Sequence, residues 1–288
     1  MIPAAFDYHA PRSVADAIAL LGRLGPDAKL LAGGHSLLPM MKLRFAQPSA
    51  LIDLGKIPDL RGITQSGNEI RIGAMTTEHA LLHSPLIAEQ LPLLADGVHQ
   101  IADPQVRYRG TIGGDISHAD PANDHPALML ALGASFVLVG PKGERVQKAE
   151  GFFVGPYETQ MRADEILTQI RIPIPPKGTG WAYAKFKRKT GDFATAAAAV
   201  LLQMKSGTVA SVSIALTNVG PTPLKPVDAE RALVGKPLDE ATLKDAAQRA
   251  MNDCAPTHCQ RGHPDYKTAM AGEMLRRALL SAQSRAKA

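Results

Sequence analysis

Lys29-Leu30-Leu31-Ala32-Gly33-Gly34-His35-Ser36-Leu37 is the stretch on which the fold turns. Residues 27–31 have the apolar run of a short buried strand, a glycine pair follows, and the LLPMMKLRF that starts at Leu37 is helix-like. Two adjacent glycines behind a strand accept positive φ and can bring successive amide N–H groups to one concave side, where they bind a diphosphate with no side chain in the way. His35 and Ser36 offer further donors. One such doublet, taken alone, reads more readily as an ordinary strand-to-helix turn. The chain has a second, Thr111-Ile112-Gly113-Gly114-Asp115, bracketed by a hydroxyl and a carboxylate. Two amide-lined hollows closing on one diphosphate from separate loops account for a dinucleotide site without a G-x-G-x-x-G or a G-x4-G-K-[ST] motif, neither of which occurs here.

Working outward, residues 13–24 carry Val14, Ala17, Ile18 and Leu21 at helical spacing, with Ser13 as cap and Gly25 as stop. Strands are expected at 50–54 and 69–72, and with the first unit they suggest a small βαββ module. Residues 75–100 read as helix broken near Pro85 and Pro92. A helix over 126–133, a hairpin of 135–139 with 145–147, and a strand over 165–172 make a second, α+β module. The prolines and glycines of 173–180 mark a linker and domain boundary. Beyond it, strands at 181–188, 196–204 and 208–219, the last two joined by Ser206-Gly207, form an antiparallel meander. Helices follow over 228–234, 239–252 and 265–286, the last with Tyr266, Met270, Met274 and Ala278 on one stripe. The fold class is α+β.

The chain has 288 residues, 45% apolar and 20% charged, with a net charge of +5. That composition excludes disordered and fibrous classes, and no Lys/Arg-rich patch interleaved with aromatics suggests nucleic acid. The first residues have no basic start followed by an apolar run, and no stretch of about 18 apolar residues occurs, so a cytoplasmic location is expected. The two cysteines, Cys254 and Cys259, are spaced C-x4-C, which suits neither a zinc ribbon nor a set of cluster ligands.

His118-Ala119-Asp120-Pro121-Ala122-Asn123-Asp124-His125 could ligate a metal in a hydrolase. Its spacing is not H-x-H-x-D-H and no second ligand cluster accompanies it, so no metal ligands are assigned. The prolines suggest a surface-exposed loop feeding a helix that Asp124 would cap. Lys185-Phe186-Lys187-Arg188 reads as a solvated basic strand end, with Lys187 and Lys185 on one face.

KLLAGGHSLLPMMKLR, IADPQVRYRGTIGGD, DPANDHPAL, DEILTQIRIP, KFKRKTGDFATAAAAV and ALTNVGPTPL, in this order, resemble the medium, FAD-binding subunits of molybdenum hydroxylases, most closely those of aerobic carbon monoxide dehydrogenases. The match spans nearly the whole chain and is weakest after Pro237. It implies an FAD-binding domain of the vanillyl-alcohol-oxidase (PCMH) type, with a βαββ subdomain over 1–55, an α+β subdomain over 56–177, and a C-terminal antiparallel three-stranded sheet with helices over 178–288. By motif, Leu30, Leu31, Ala32, Gly33, Gly34, His35, Ser36, Leu37, Thr111, Ile112, Gly113, Gly114 and Asp115 would hold the FAD pyrophosphate. Asp124 would reach the adenosine portion or a nearby polar group, and Ile101, Leu167 and Lys187 would make further FAD contacts, Lys187 stabilising the anionic reduced ring. Where Asp115 stands, much of the family has Asn; a carboxylate donates a hydrogen bond only when protonated.

The resemblance further implies that carbon monoxide and water become carbon dioxide at a molybdenum–copper centre in a molybdopterin large subunit. Iron–sulfur clusters of a small subunit would relay electrons to this chain's FAD and on to an external acceptor, a quinone, which would bring the enzyme to the inner face of the membrane. Two copies of each of three subunits would assemble as a dimer of heterotrimers. This chain would supply no catalytic residue to substrate chemistry. The alternatives are the FAD subunit of a xanthine, aldehyde or N-heterocycle dehydrogenase, a nucleotide-sensing module without turnover, and a metal-dependent hydrolase using 118–125.

Overall fold

A computed structural model describes residues 1–287. The chain opens with β1 (Asp7–His9), α1 (Val14–Leu24), β2 (Ala28–Leu31), α2 (Leu37–Lys42) and β3 (Ala50–Asp53). Ser13 caps α1 by accepting from the Asp16 amide, and Gly25, at φ 76°, closes it with a bond to the Leu21 carbonyl. The three strands are parallel in the order β1-β3-β2. This corrects the expected βαββ module. The unit is βαβαβ, its latest strand sits in the centre, and the strand at 69–72 belongs elsewhere. Ala17 and Leu21 bury against Ile52, Leu54, Ile57 and Leu60, so the apolar stripe of α1 covers one face of this small sheet.

The second unit contains β4 (Ile63–Ser66), β5 (Glu69–Gly73), α3 (Glu78–Leu82), α4 (Pro85–Gln90), α5 (Pro92–Gln100), α6 (Pro104–Arg107), α7 (Ile112–His118), α8 (Asp124–Ala131), β6 (Ser135–Gly140), β7 (Gly143–Lys148), β8 (Phe153–Gly155), β9 (Glu158–Thr159) and β10 (Ile166–Pro173). Its five-stranded antiparallel sheet runs β4-β5-β10-β6-β7, and the strand at 69–72 pairs with β4 and β10. Pro85 and Pro92 each begin a helix, as their missing N–H allows. Ile70, Ile72, Phe136, Leu138, Ile170 and Ile172 share a core with Leu94, Val98 and Leu128 of the covering helices.

In the last unit β11 (Gly180–Phe186), β12 (Ala196–Lys205) and β13 (Thr208–Thr217) form an antiparallel sheet, followed by α9 (Val227–Leu233), α10 (Glu240–Asn252) and α11 (Pro264–Arg285). Ser206 and Gly207 both take positive φ, 51° and 80°, as a two-residue hairpin turn requires. The alanine run now has a reason. Ala197 and Ala199 point into the core shared with α5 and α8, while Ala196, Ala198 and Val200 point towards α11. The sheet is covered on both faces, and small side chains let helices approach it from either side. On α11 the buried stripe is Lys267, Ala271, Met274, Leu275, Ala278, Leu279 and Ala282, one position round from the expected one, and Tyr266 is exposed.

Candidate functional site

The loop that joins β2 to α2 meets the segment leading into α7. A Cβ on Gly33 would stand 2.3 Å from the Arg109 carbonyl oxygen, and one on Gly114 would stand 3.4 Å from the Ala32 Cβ. At Gly33 only glycine permits this approach; the Gly114 distance is an ordinary van der Waals contact across the same seam. Gly34, at φ 78°, turns the chain left-handed, and the amides of Gly33, Gly34, His35 and Ser36 make no hydrogen bond among the described residues. Four successive unused donors in one loop are available to an anion.

The second doublet is built differently, which corrects the picture of two equivalent hollows. Gly113 and Gly114 lie in the first turn of α7. The Gly113 amide donates to the Ala74 carbonyl at 2.9 Å, the Gly114 amide to the capping Thr111 hydroxyl at 3.2 Å, and the Asp115 amide to the Thr111 carbonyl at 3.0 Å. These glycines provide close approach instead of free donors. A Cβ on Gly113 would lie 2.5 Å from that of Ala74.

Both segments border a cavity of about 630 Å³, a size suited to a cofactor. Leu30, Ala32, Gly33, Gly34, His35, Ser36, Leu37, Ile101, Thr111, Gly113, Gly114, Asp115, Asp124 and Leu167 all line it. Three of the residues singled out from sequence do not. Leu31 ends β2, Ile112 is fully buried in the core, and Lys187 donates to the Gln100 carbonyl at 3.1 Å. Lys185, on the same strand face and bonded to that carbonyl too, lines the cavity in place of Lys187. Burial and the Lys185 charge hold the Lys187 ammonium below the usual lysine range.

The inner wall carries buried ionic groups that sequence reasoning missed or placed differently. Glu78 lines the cavity and lies 2.8 Å from His125 Nε2, both nearly inaccessible. Burial alone would lower the His125 pKa, but the Glu78 charge and hydrogen bond outweigh it and carry the imidazole up to about 9. Asp124 does not cap α8, which corrects that expectation: its carboxylate accepts from Lys185 Nζ at 2.7 Å and from the Tyr183 hydroxyl. Burial and the Asp124 charge push the Tyr183 phenol well above its ordinary value. Glu78 and Tyr183 carried no local signal, because their partners lie 47 and 59 residues away in sequence.

The segment 118–125 is not a surface loop. Ala119, Ala122, Asn123, Asp124 and His125 are buried, and the Pro121 carbonyl accepts the Asn218 amide at the end of β13. Its polar side chains have separate partners. His118 packs against Tyr157, Asp120 accepts the Ala122 amide, Asp124 takes Lys185, and His125 takes Glu78. Among the described residues no three His, Cys, Asp or Glu side chains gather as metal ligands.

Neutral amides for a diphosphate, glycines that a Cβ would displace, and a cofactor-sized cavity lined from all three units fit a dinucleotide cofactor. Residues 4–175 match the FAD-binding domain of molybdopterin dehydrogenases, and residues 181–282 match the C-terminal domain of carbon monoxide dehydrogenase flavoproteins. The chain belongs to this family of FAD-binding flavoprotein subunits. It is 56% identical to the carbon monoxide dehydrogenase medium chain of Hydrogenophaga pseudoflava, over 99% of each chain. A solved carbon monoxide dehydrogenase from Hydrogenophaga pseudoflava, lacking the Mo-pyranopterin moiety of its molybdenum cofactor, superposes with a TM-score of 0.98 at 57% identity, covering 100% of each chain. Quinoline 2-oxidoreductase from Pseudomonas putida 86 superposes with a TM-score of 0.94 at 35% identity, covering 99% of each.

Proposed function

We propose that this chain is the electron-transfer flavoprotein subunit of a molybdenum hydroxylase that oxidises carbon monoxide with water to carbon dioxide. The observation that carries the reading is the free-amide loop 33–36 on a cofactor-sized cavity, in a chain more than half identical, end to end, to a carbon monoxide dehydrogenase medium chain. FAD, when bound, supplies the ability to take up electrons one at a time and release them in pairs.

The chain's own residues bind and orient. The amides of Gly33, Gly34, His35 and Ser36 would donate to the diphosphate, and Gly33 and Gly114 keep the two loops in contact. Thr111, Gly113 and Asp115 form the opposite wall, while Leu30, Leu37, Ile101 and Leu167 shield the cofactor from water. The Asp124–Lys185–Tyr183 group would hold the far wall rigid, with Lys187 behind it bonded to the Gln100 carbonyl and outside the lining. Leu31 and Ile112 act through their backbone placement of the loops. No side chain here is needed for substrate acid–base chemistry.

Two cysteines are too few to ligate an iron–sulfur cluster. In this reading electrons would reach the FAD from clusters on a small subunit, fed by a molybdopterin large subunit, with two copies of each subunit in the assembly. A quinone at the inner face of the cytoplasmic membrane accepts them; no described helix is long and apolar enough to cross a membrane. The likeness to quinoline 2-oxidoreductase favours a second reading, in which the same subunit serves an N-heterocycle hydroxylase. Anaerobic addition of carbon monoxide to the purified complex separates them. Loss of the yellow flavin absorbance supports the first reading, bleaching by quinoline but not by carbon monoxide supports the second, and a complex without flavin overturns both.

A further inference from the structure

Lys267 of α11 is buried, at 1% exposure, and among the described residues no carboxylate pairs with it. Its Nζ donates to Asn218 Oδ1 at 3.1 Å and to the Thr257 carbonyl at 3.4 Å, both neutral, and lies 3.9 Å from Cys259 Sγ. An ammonium taken out of water is costly without a counter-charge. Of these three contacts only the half-buried Cys259 thiol can become an anion. The turn that carries this thiol is tied down. The Gly262 amide donates to the Cys259 carbonyl at 3.0 Å, Arg188 Nη1 to the Gln260 carbonyl at 3.2 Å, and Arg261 reaches Asp192 at 3.4 Å. Asp192 is thereby taken by Arg188 and Arg261, which leaves Lys267 to the sulfur. The flanking His258 and His263 rings pack on each other, 5.1 Å between centroids. Neither Cys259 nor Lys267 lines the cofactor cavity.

We propose that Cys259 and Lys267 form a reversible oxidation site, a thiolate–ammonium pair that reacts with hydroperoxides to give a sulfenic acid at Cys259. The thiolate is the nucleophile in thiol oxidation. Its sulfur attacks one oxygen of a hydroperoxide ROOH. An S–O bond forms, the O–O bond breaks, and two electrons pass from sulfur to the departing oxygen, which leaves as ROH with a proton from solvent. Lys267 stays protonated and donates to the oxygen now on sulfur, a charge-assisted hydrogen bond. Burial raises the Cys259 thiol, but the Arg261 amide and the Lys267 and Arg261 charges outweigh it; in return the Cys259 charge opposes the lowering of Lys267 by burial. Partial exposure of Cys259 admits a small peroxide. Cys254 is the contrast within the same segment: its thiol donates to the Ala250 carbonyl, and its charged neighbour is Asp253 instead of a cation.

The pair stands independently of the cofactor assignment, and its test involves no reaction of the flavin. The full chain, in the complex in which it is purified, is reduced with dithiothreitol, freed of it, and treated with hydrogen peroxide and dimedone at about pH 7, and both cysteine peptides are followed by mass spectrometry. Cys259 should acquire dimedone at least about 10-fold faster than Cys254, and dithiothreitol given before the dimedone should restore its thiol. Lys267→Met removes the charge at similar side-chain length and should slow Cys259 oxidation about 10-fold, the effect of a one-unit rise in the thiol pKa. Should that variant fail to assemble, the native enzyme still decides: the rate of Cys259 oxidation plotted against pH should have its midpoint below that of free cysteine, about 8.5. No dimedone on Cys259, an unchanged rate in Lys267→Met, or a midpoint at or above that of free cysteine overturns the proposal.

Discussion

Gly33→Ala tests the contact on which the site is built. The added methyl would lie 2.3 Å from the Arg109 carbonyl oxygen and 2.9 Å from Gly110 Cα, and both obstacles are backbone. To reach ordinary van der Waals contact the two loops must part by about 1 Å. Overpacking of this kind costs about 1–3 kcal/mol. The strain falls on the loop whose free amides are proposed to bind the diphosphate, so most of it can be relieved by opening the cradle. FAD affinity is therefore expected to fall about 5- to 150-fold, while the three sheets, whose cores lie elsewhere, stay folded. Gly22→Ala is the matched control: it sits inside α1 with open space around its Cβ position, and should raise stability by about 0.5–1 kcal/mol. The assay is FAD titration of the stripped chain alongside far-ultraviolet circular dichroism. Native FAD affinity in Gly33→Ala would refute the assignment of this loop as the cradle.

Lys185→Met leaves Asp124 buried without its cation and should cost about 3–5 kcal/mol in urea unfolding; Asp124→Asn combined with Lys185→Met should cost clearly less than the sum of the single changes, and strict additivity would contradict the ion pair. Stability should decline with rising pH. The His125 proton is bound more tightly in the folded chain, so the stabilisation it confers is complete below about pH 6.5 and lost as pH climbs through about 9, while Asp115 adds a decline between about 4 and 8. Urea midpoints at about pH 6 and about pH 9 read this out, and a higher midpoint at the alkaline end would speak against both assignments. The two thiols should differ. Burial, with the nearby Asp253 charge, pushes Cys254 up to about 12, whereas burial at Cys259 is outweighed by the Arg261 amide, the Lys267 ammonium and the Arg261 charge, so its thiol lies below the usual range. Maleimide labelling followed by mass spectrometry should modify Cys259 at least about 10-fold faster, and equal rates would contradict this ordering.

Features set within a few residues were legible in the sequence. The cap of Ser13, the stop at Gly25, the breaks at Pro85 and Pro92 and the turn at Ser206-Gly207 each follow from one residue's φ preference or hydrogen-bonding capacity, which distant parts of the chain do little to alter. The glycine doublet at 33–34 was legible as a turn, but the contact that excludes a methyl at Gly33 is made by Arg109, far along the chain. Tertiary structure decided the rest. Identical-looking doublets differ in their amides, because Thr111 and Ala74 take those of the second and nothing among the described residues takes those of the first. The segment 118–125 is buried because β13 lies over it, and His125, Asp124 and Lys185 found partners 47 to 61 residues away. Ion pairs and strand order of this kind depend on which surfaces the whole chain removes from water, a quantity with no local signature.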